Sequence, residues 1–85
     1  MKHSFKTKGT CSAAVEFELD NGIVRNVSFV GGCNGNTTGV GRLCEGLQAE
    51  DVIARLKGIR CGFKSTSCPD QLAQAIERAI EEEKA

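Results

Sequence analysis

The sequence predicts an α+β fold: a small single domain in which an antiparallel β-hairpin is followed by three helices packed on one face. Three observations carry that expectation. Apolar residues alternate with period two from Cys11 to Leu19 and stop at Asp20-Asn21-Gly22. Helical spacing then takes over at Val40, Leu43, Cys44 and Leu47. A chain of 85 residues holds one core and has too few residues to close a second.

Residues 1–9 are rich in lysine, with Gly9 as a break, and read as an N-terminal arm or an added edge strand ahead of a domain at 10–85. Cys11, Ala13, Val15, Phe17 and Leu19 then form one face of a half-buried strand. A second strand runs from Ile23 to Val30. Its register depends on the turn. A two-residue Asn21-Gly22 turn sets Leu19 opposite Val24 and Phe17 opposite Asn26, mixing apolar with polar. A three-residue Asp20-Asn21-Gly22 loop sets Leu19 against Ile23, Val15 against Val27 and Ala13 against Phe29, and the pattern favours it. It also puts Cys11 opposite Gly31 and diagonal to Cys33, so that two thiols converge on one face.

The segment Gly31-Gly32-Cys33-Asn34-Gly35-Asn36-Thr37 is a glycine-rich turn into a helix, with Asn34 or Asn36 as the cap. Val40, Leu43, Cys44 and Leu47 mark the buried stripe of that helix, which ends at Gly46. A second helix spans 50–57 and buries Val52, Ile53 and Leu56. Residues 59–67 form a loop. The last helix opens at Cys68-Pro69-Asp70-Gln71, with Cys68 as cap and Gln71 reaching back to it. Leu72, Ala73, Ile76, Ala79 and Ile80 make its core stripe.

Eleven basic and eleven acidic residues give zero net charge, which argues against a nucleic-acid partner bound through its phosphates. No apolar run is long enough to span a membrane. The N-terminal Met1-Lys2-His3-Ser4-Phe5 lacks an apolar core and is not read as a signal peptide. A cytoplasmic protein is therefore expected, with its five cysteines reactive, metal-bound or buried rather than disulfide-paired. So small a core is expected to draw support from a metal, a cofactor or a homodimer interface.

Cys33 and Cys68 each precede a helix start, where the positive end of the dipole favours a thiolate. The plainer alternative is that Cys33 packs and Cys68 caps. Together with Cys11 and Cys61 they would make a four-thiol zinc or iron–sulfur site, although no C-x-x-C pair is present. Cys44 sits on an apolar stripe and reads as core. The loop from Gly31 to Thr37 would hold a phosphate on backbone N–H groups, with Arg42, Lys57 and Arg60 supplying charge, or else serves only as a tight strand-to-helix turn. His3 lies in the arm without a visible Ser or Asp partner. Asp70 reads as a residue complementing the helix dipole.

Lys57-Gly58-Ile59-Arg60-Cys61, followed by Thr66-Ser67-Cys68-Pro69-Asp70-Gln71-Leu72-Ala73, resembles the TSCPD domain, a family named for that pentapeptide. Gly31-Gly32-Cys33-Asn34-Gly35-Asn36 is similar to the glycine–cysteine segment of its small stand-alone members. The resemblance runs from Gly9 to Ile80. The family's cysteine pattern matches Cys11, Cys33, Cys61 and Cys68 and leaves Cys44 out. The domain also occurs near the C-terminus of adenosylcobalamin-dependent ribonucleotide reductases. The resemblance thus implies the name ribonucleoside-diphosphate reductase, with the terms oxidoreductase, nucleotide-binding and DNA synthesis. A chain of 85 residues has no room for the reductase barrel, its radical site or its cobalamin pocket, so reductase activity by this chain alone is not expected.

The expectation is therefore a cysteine-rich module that binds a metal, a flavin or a nucleotide, through Cys11, Cys33, Cys61 and Cys68 and the Gly31-to-Thr37 loop. The alternative is a thiol redox or interaction partner of a reductase, working through Cys33, Cys61 or Cys68 and without catalysis of its own.

Overall fold

The computed structural model of the chain describes residues 2–10, 12–31, 34–60, 62 and 66–84, with the backbone alone at 34–36 and 84. Its elements are β1 (Lys2–Lys6), β2 (Ser12–Asp20), β3 (Ile23–Gly31), α1 (Asn34–Cys44), α2 (Ala49–Leu56) and α3 (Cys68–Lys84). The strands form one antiparallel sheet in the order β1-β2-β3. The expected α+β layout is found, with residues 2–6 taking the edge-strand role and making the sheet three-stranded.

The hairpin turns on Asn21 and Gly22, with φ of +52° and +81°. Only residues tolerant of the left-handed region suit such a turn, whose twist matches that of the strands. Asp20 pairs with Ile23, Leu19 with Val24 and Val15 with Phe29, so the favoured three-residue register, with Leu19 against Ile23, Val15 against Val27 and Ala13 against Phe29, is wrong along the whole ladder. The physical reason lies at Asn26, whose φ is +54°. One extra β3 residue is inserted there, between the Glu18–Arg25 and Glu16–Ser28 pairs. The bulge turns Asn26 out of the sheet and rephases the strand, so Val24 before it and Val27 and Phe29 after it face the same core. Uninterrupted alternation was the false premise.

A second irregularity follows at the far end of the ladder, where Ser12 pairs with Gly31 and Ala14 with Val30. Ala13 is the extra residue and is exposed, while Ser12 is buried at 4% exposure. The expected inward position of Ala13 is thus taken by a serine. Gly31 pairs with Ser12, so the expected placement of Cys11 opposite Gly31 does not hold; the predicted convergence of Cys11 and Cys33 itself falls on residues outside those described.

Val15, Phe17, Leu19 and Val24 form the sheet side of the core, and Leu72, Ala75, Ile76 and Ala79 of α3 press onto it, with Cys44 and Val52 closing the other end. Cys44 is buried as expected. Leu43 is not: it stands 78% exposed. The inward stripe of α1 is instead Thr37, Val40, Gly41 and Cys44. Small residues are needed because α1 lies almost on β3. A Cβ at Gly41 would come within 2.9 Å of the Val27 carbonyl oxygen. Residues 46–49 then bond along the same strand, with Val24 N–H donating to Leu47 O and Ala49 N–H to Gly22 O, both at 2.8 Å. That connector covers the outer edge of β3 near the turn.

His3, expected in a loose arm, is a β1 core residue at 7% exposure. Its ring stacks 5.6 Å from Phe17 and 6.1 Å from Phe5. Its Nε2 lies 2.7 Å from Glu83 Oε2. Strand β1 opposite β2 (His3 with Phe17, Phe5 with Val15) sets these rings in one row.

Candidate functional site at the start of the last helix

The start of α3 is fixed by its own sequence. Ser67, not Cys68, is the N-cap: its Oγ accepts the Asp70 N–H at 3.2 Å and donates to Ile59 O at 2.7 Å. Ser67 O accepts the first helical bond, from Gln71 N–H at 2.8 Å. Cys68 and Pro69 thus occupy the first two helical positions, where a missing proline N–H costs no helical bond. Gln71 does not reach back to Cys68. Its Nε2 donates to Thr66 Oγ1 at 3.0 Å, and its Oε1 accepts the Lys8 N–H at 3.0 Å.

Asp70 is buried at 4% exposure and organises the preceding loop. Its Oδ1 accepts the Gly58 N–H at 2.6 Å, and its Oδ2 accepts the Gln74 amide at 2.8 Å and the Thr66 hydroxyl. Burial alone pushes this carboxyl up. Bonds from Gly58, Thr66 and Gln74, with the charge of Lys57, outweigh it and hold the group below the ordinary carboxylate range. The aspartate complements the helix start, as expected, and in addition ties Gly58 and Thr66 to the helix.

The Cys68 thiol is 6% exposed and lies 3.3 Å from the Ser12 hydroxyl. Thr10 Oγ1 lies 3.1 Å from the same Ser12 Oγ, and Thr7 and Thr10 both donate to Ser12 O. The Cys68 sulfur thus meets the Ser12 hydroxyl at the N-terminus of α3, and Thr7 and Thr10 hold Ser12 in place. Cys44 is the contrast. Burial among apolar groups pushes its thiol up.

Of the remaining expected ligands, Cys11, Cys33 and Cys61 lie outside the described residues, as does Gly32. Gly31 ends β3 with φ +77°, opposite Ser12. Asn34 opens α1, so Asn36 lies inside its first turn and not at its cap. Thr37 is buried on the sheet-facing side of α1. Among the charges expected for a phosphate there, Lys57 is engaged by Glu77 at 2.9 Å, and Arg42 stands in the last turn of α1, at its far end. Among the described residues no three His, Cys, Asp or Glu side chains group as a metal site.

Sequence reasoning missed Ser12, Thr10 and Thr7. The signal was the Ala13-Ala14 pair of small residues, where alternation loses its contrast and a bulge fits. It also misplaced the cap, although Ser67-x-x-Asp70 has capping-box spacing.

A family model described as the TSCPD domain matches residues 1–80. No curated protein and no solved structure matches the chain. No helix among the described residues is long and apolar enough to cross a membrane.

Proposed function

The chain belongs to the TSCPD domain family, and on that premise we propose that it is a metal-binding module in which Cys11, Cys33, Cys61 and Cys68 hold one zinc ion or iron–sulfur cluster. One observation carries the reading. The described chain neighbours of all four cysteines are joined at the start of α3. Ser12, next to Cys11, contacts the Cys68 thiol. Gly31, two residues before Cys33, pairs with Ser12. Ile59, two residues before Cys61, accepts the hydroxyl of Ser67, next to Cys68.

The donor chemistry fits. Four thiolates satisfy zinc or an iron–sulfur cluster, and the Ser12 hydroxyl beside Cys68, with the helix dipole, offsets its negative charge. When bound, a four-thiolate zinc closes its coordination shell and contributes folding free energy. This chain's own residues frame the site: Ser67 and Asp70 fix the helix start, and Asp70 bonds Gly58, three residues before Cys61.

Elemental analysis and absorbance of anaerobically purified protein test the reading. Stoichiometric zinc, or iron with a visible charge-transfer band, is expected in wild type and lost in Cys68→Ser. Metal-free, colourless protein with its four site thiols titrating freely in the native state would sink it. A thiol redox protein would instead be metal-free with a pair that closes on oxidation.

A further inference from the structure

A cleft of about 360 Å³ lies between the outer side of β1 and the exposed flank of α3. Three cations border it, Lys6, Lys8 and Arg78, and among the described residues no carboxylate does. That is a local departure from a chain whose charges balance at eleven of each sign. The described ion pairs all involve other residues, so none of the three cations is neutralised by a described carboxylate. Arg78 also borders a groove carrying Glu77, Glu81 and Glu82; Glu77 is taken by Lys57, and none of the three pairs with Arg78.

The wall is built, not incidental. Lys8 is pinned by its N–H to Gln71 Oε1, Gln71 donates to Thr66, and Thr66 donates to Asp70. Gly9 closes one end with φ +73°, where a Cβ would come within 3.0 Å of Thr66 Cγ2. The bonds run one way, toward Asp70. Gln71 and Gln74, each with an amide N–H committed to this chain of bonds, border the cleft and carry a second N–H. Asp70 itself is satisfied behind this layer. Cations with amide donors around a concavity suit a compact dianion, and Phe5 and Ala75 add an apolar floor for a small attached group.

We propose that this cleft binds the phosphate group of a small phosphorylated molecule. The site shares no side chain with the four cysteines and stands apart from the metal reading.

Calorimetric titration with inorganic phosphate and, in a separate arm, phenyl phosphate tests it. Saturable binding of both is expected, weakening with added salt. Lys8→Gln and Arg78→Gln should each raise Kd roughly five- to tenfold, and Arg42→Gln, on α1, should leave it unchanged. Lys8→Gln keeps the backbone bond to Gln71, and circular dichroism checks that each variant folds. Absence of saturable binding, Kd values unchanged in both variants, or equal weakening by Arg42→Gln would overturn the proposal. Metal content, read on the same samples, reports the cysteine site separately.

Discussion

Changing Asp70 to Asn keeps the shape of the side chain and removes its charge and one acceptor. Three donors point at the carboxylate: the Gly58 N–H at one oxygen, the Thr66 hydroxyl and Gln74 amide at the other. A backbone N–H cannot reverse, so the Asn carbonyl must stay on Gly58 and its NH2 must face Thr66 and Gln74. Thr66 already accepts from Gln71, and Gln74 loses its acceptor. Losing charge assistance on a buried network and leaving one donor unpaired costs about 2–4 kcal/mol. Against roughly 4–13 kcal/mol for a domain of this size, that is a large fraction. The melting temperature should fall by on the order of 10 °C or more.

The pH dependence fixes the cause. Asp70 is held below the ordinary value, so the unfolded chain takes up the proton first, near a pH of about 4. Its contribution is whole above that value and is lost as pH falls through the lowered native value. Denaturant melts across the acid range should show wild type and Asp70→Asn widely separated near neutrality and converging in acid. A variant within about 0.5 kcal/mol of wild type at neutral pH, or two curves that stay parallel into acid, would refute this account of Asp70.

Two glycines of α1 should respond with opposite signs. Gly41→Ala meets the Val27 carbonyl and should cost about 1–2 kcal/mol, whereas Gly39→Ala, with open space around it, should gain about 0.5–1 kcal/mol in thermal or urea melts. Asn26→Val forces a β-branched residue to φ +54° and should cost about 1–2 kcal/mol, while Asn26→Gly should cost far less; denaturant midpoints of the pair decide it. The Cys44 thiol, pushed up by burial, should react with Ellman's reagent at neutral pH only as fast as the protein opens, and the stability tied to it should be lost as pH rises through its raised native value.

The hairpin, the three helices and the α3 stripe were legible because each rests on a local period or a local turn. What failed depended on interruptions. Period two counts residues along an unbroken ladder, and the Asn26 bulge adds one that no apolar alternation announces. Leu43 reads as buried because it shares helical spacing with Val40, Cys44 and Leu47. The close approach of α1 to β3 instead selected Thr37 and Gly41 for the inner face. His3 was legible only through its distant partners, Phe17 on the adjacent strand and Glu83 at the far end of α3. The cysteine pattern is visible in the sequence, while the Ser12 hydroxyl beside Cys68 is brought there by a second bulge.

The His3–Glu83 bond spans 80 residues of chain. Strand β1 is made first and finds its helical partner last. The β2–β3 hairpin and helices α1 and α2 close over short loops, whereas the His3–Phe5–Phe17 row stays open on one side until α3 has docked. Contacts that distant set a slow, final step in folding. During synthesis the ribosome must release α3 before the first strand is sealed, so an arrested chain ending ahead of Cys68 would expose Phe5 and Phe17 for as long as it waits.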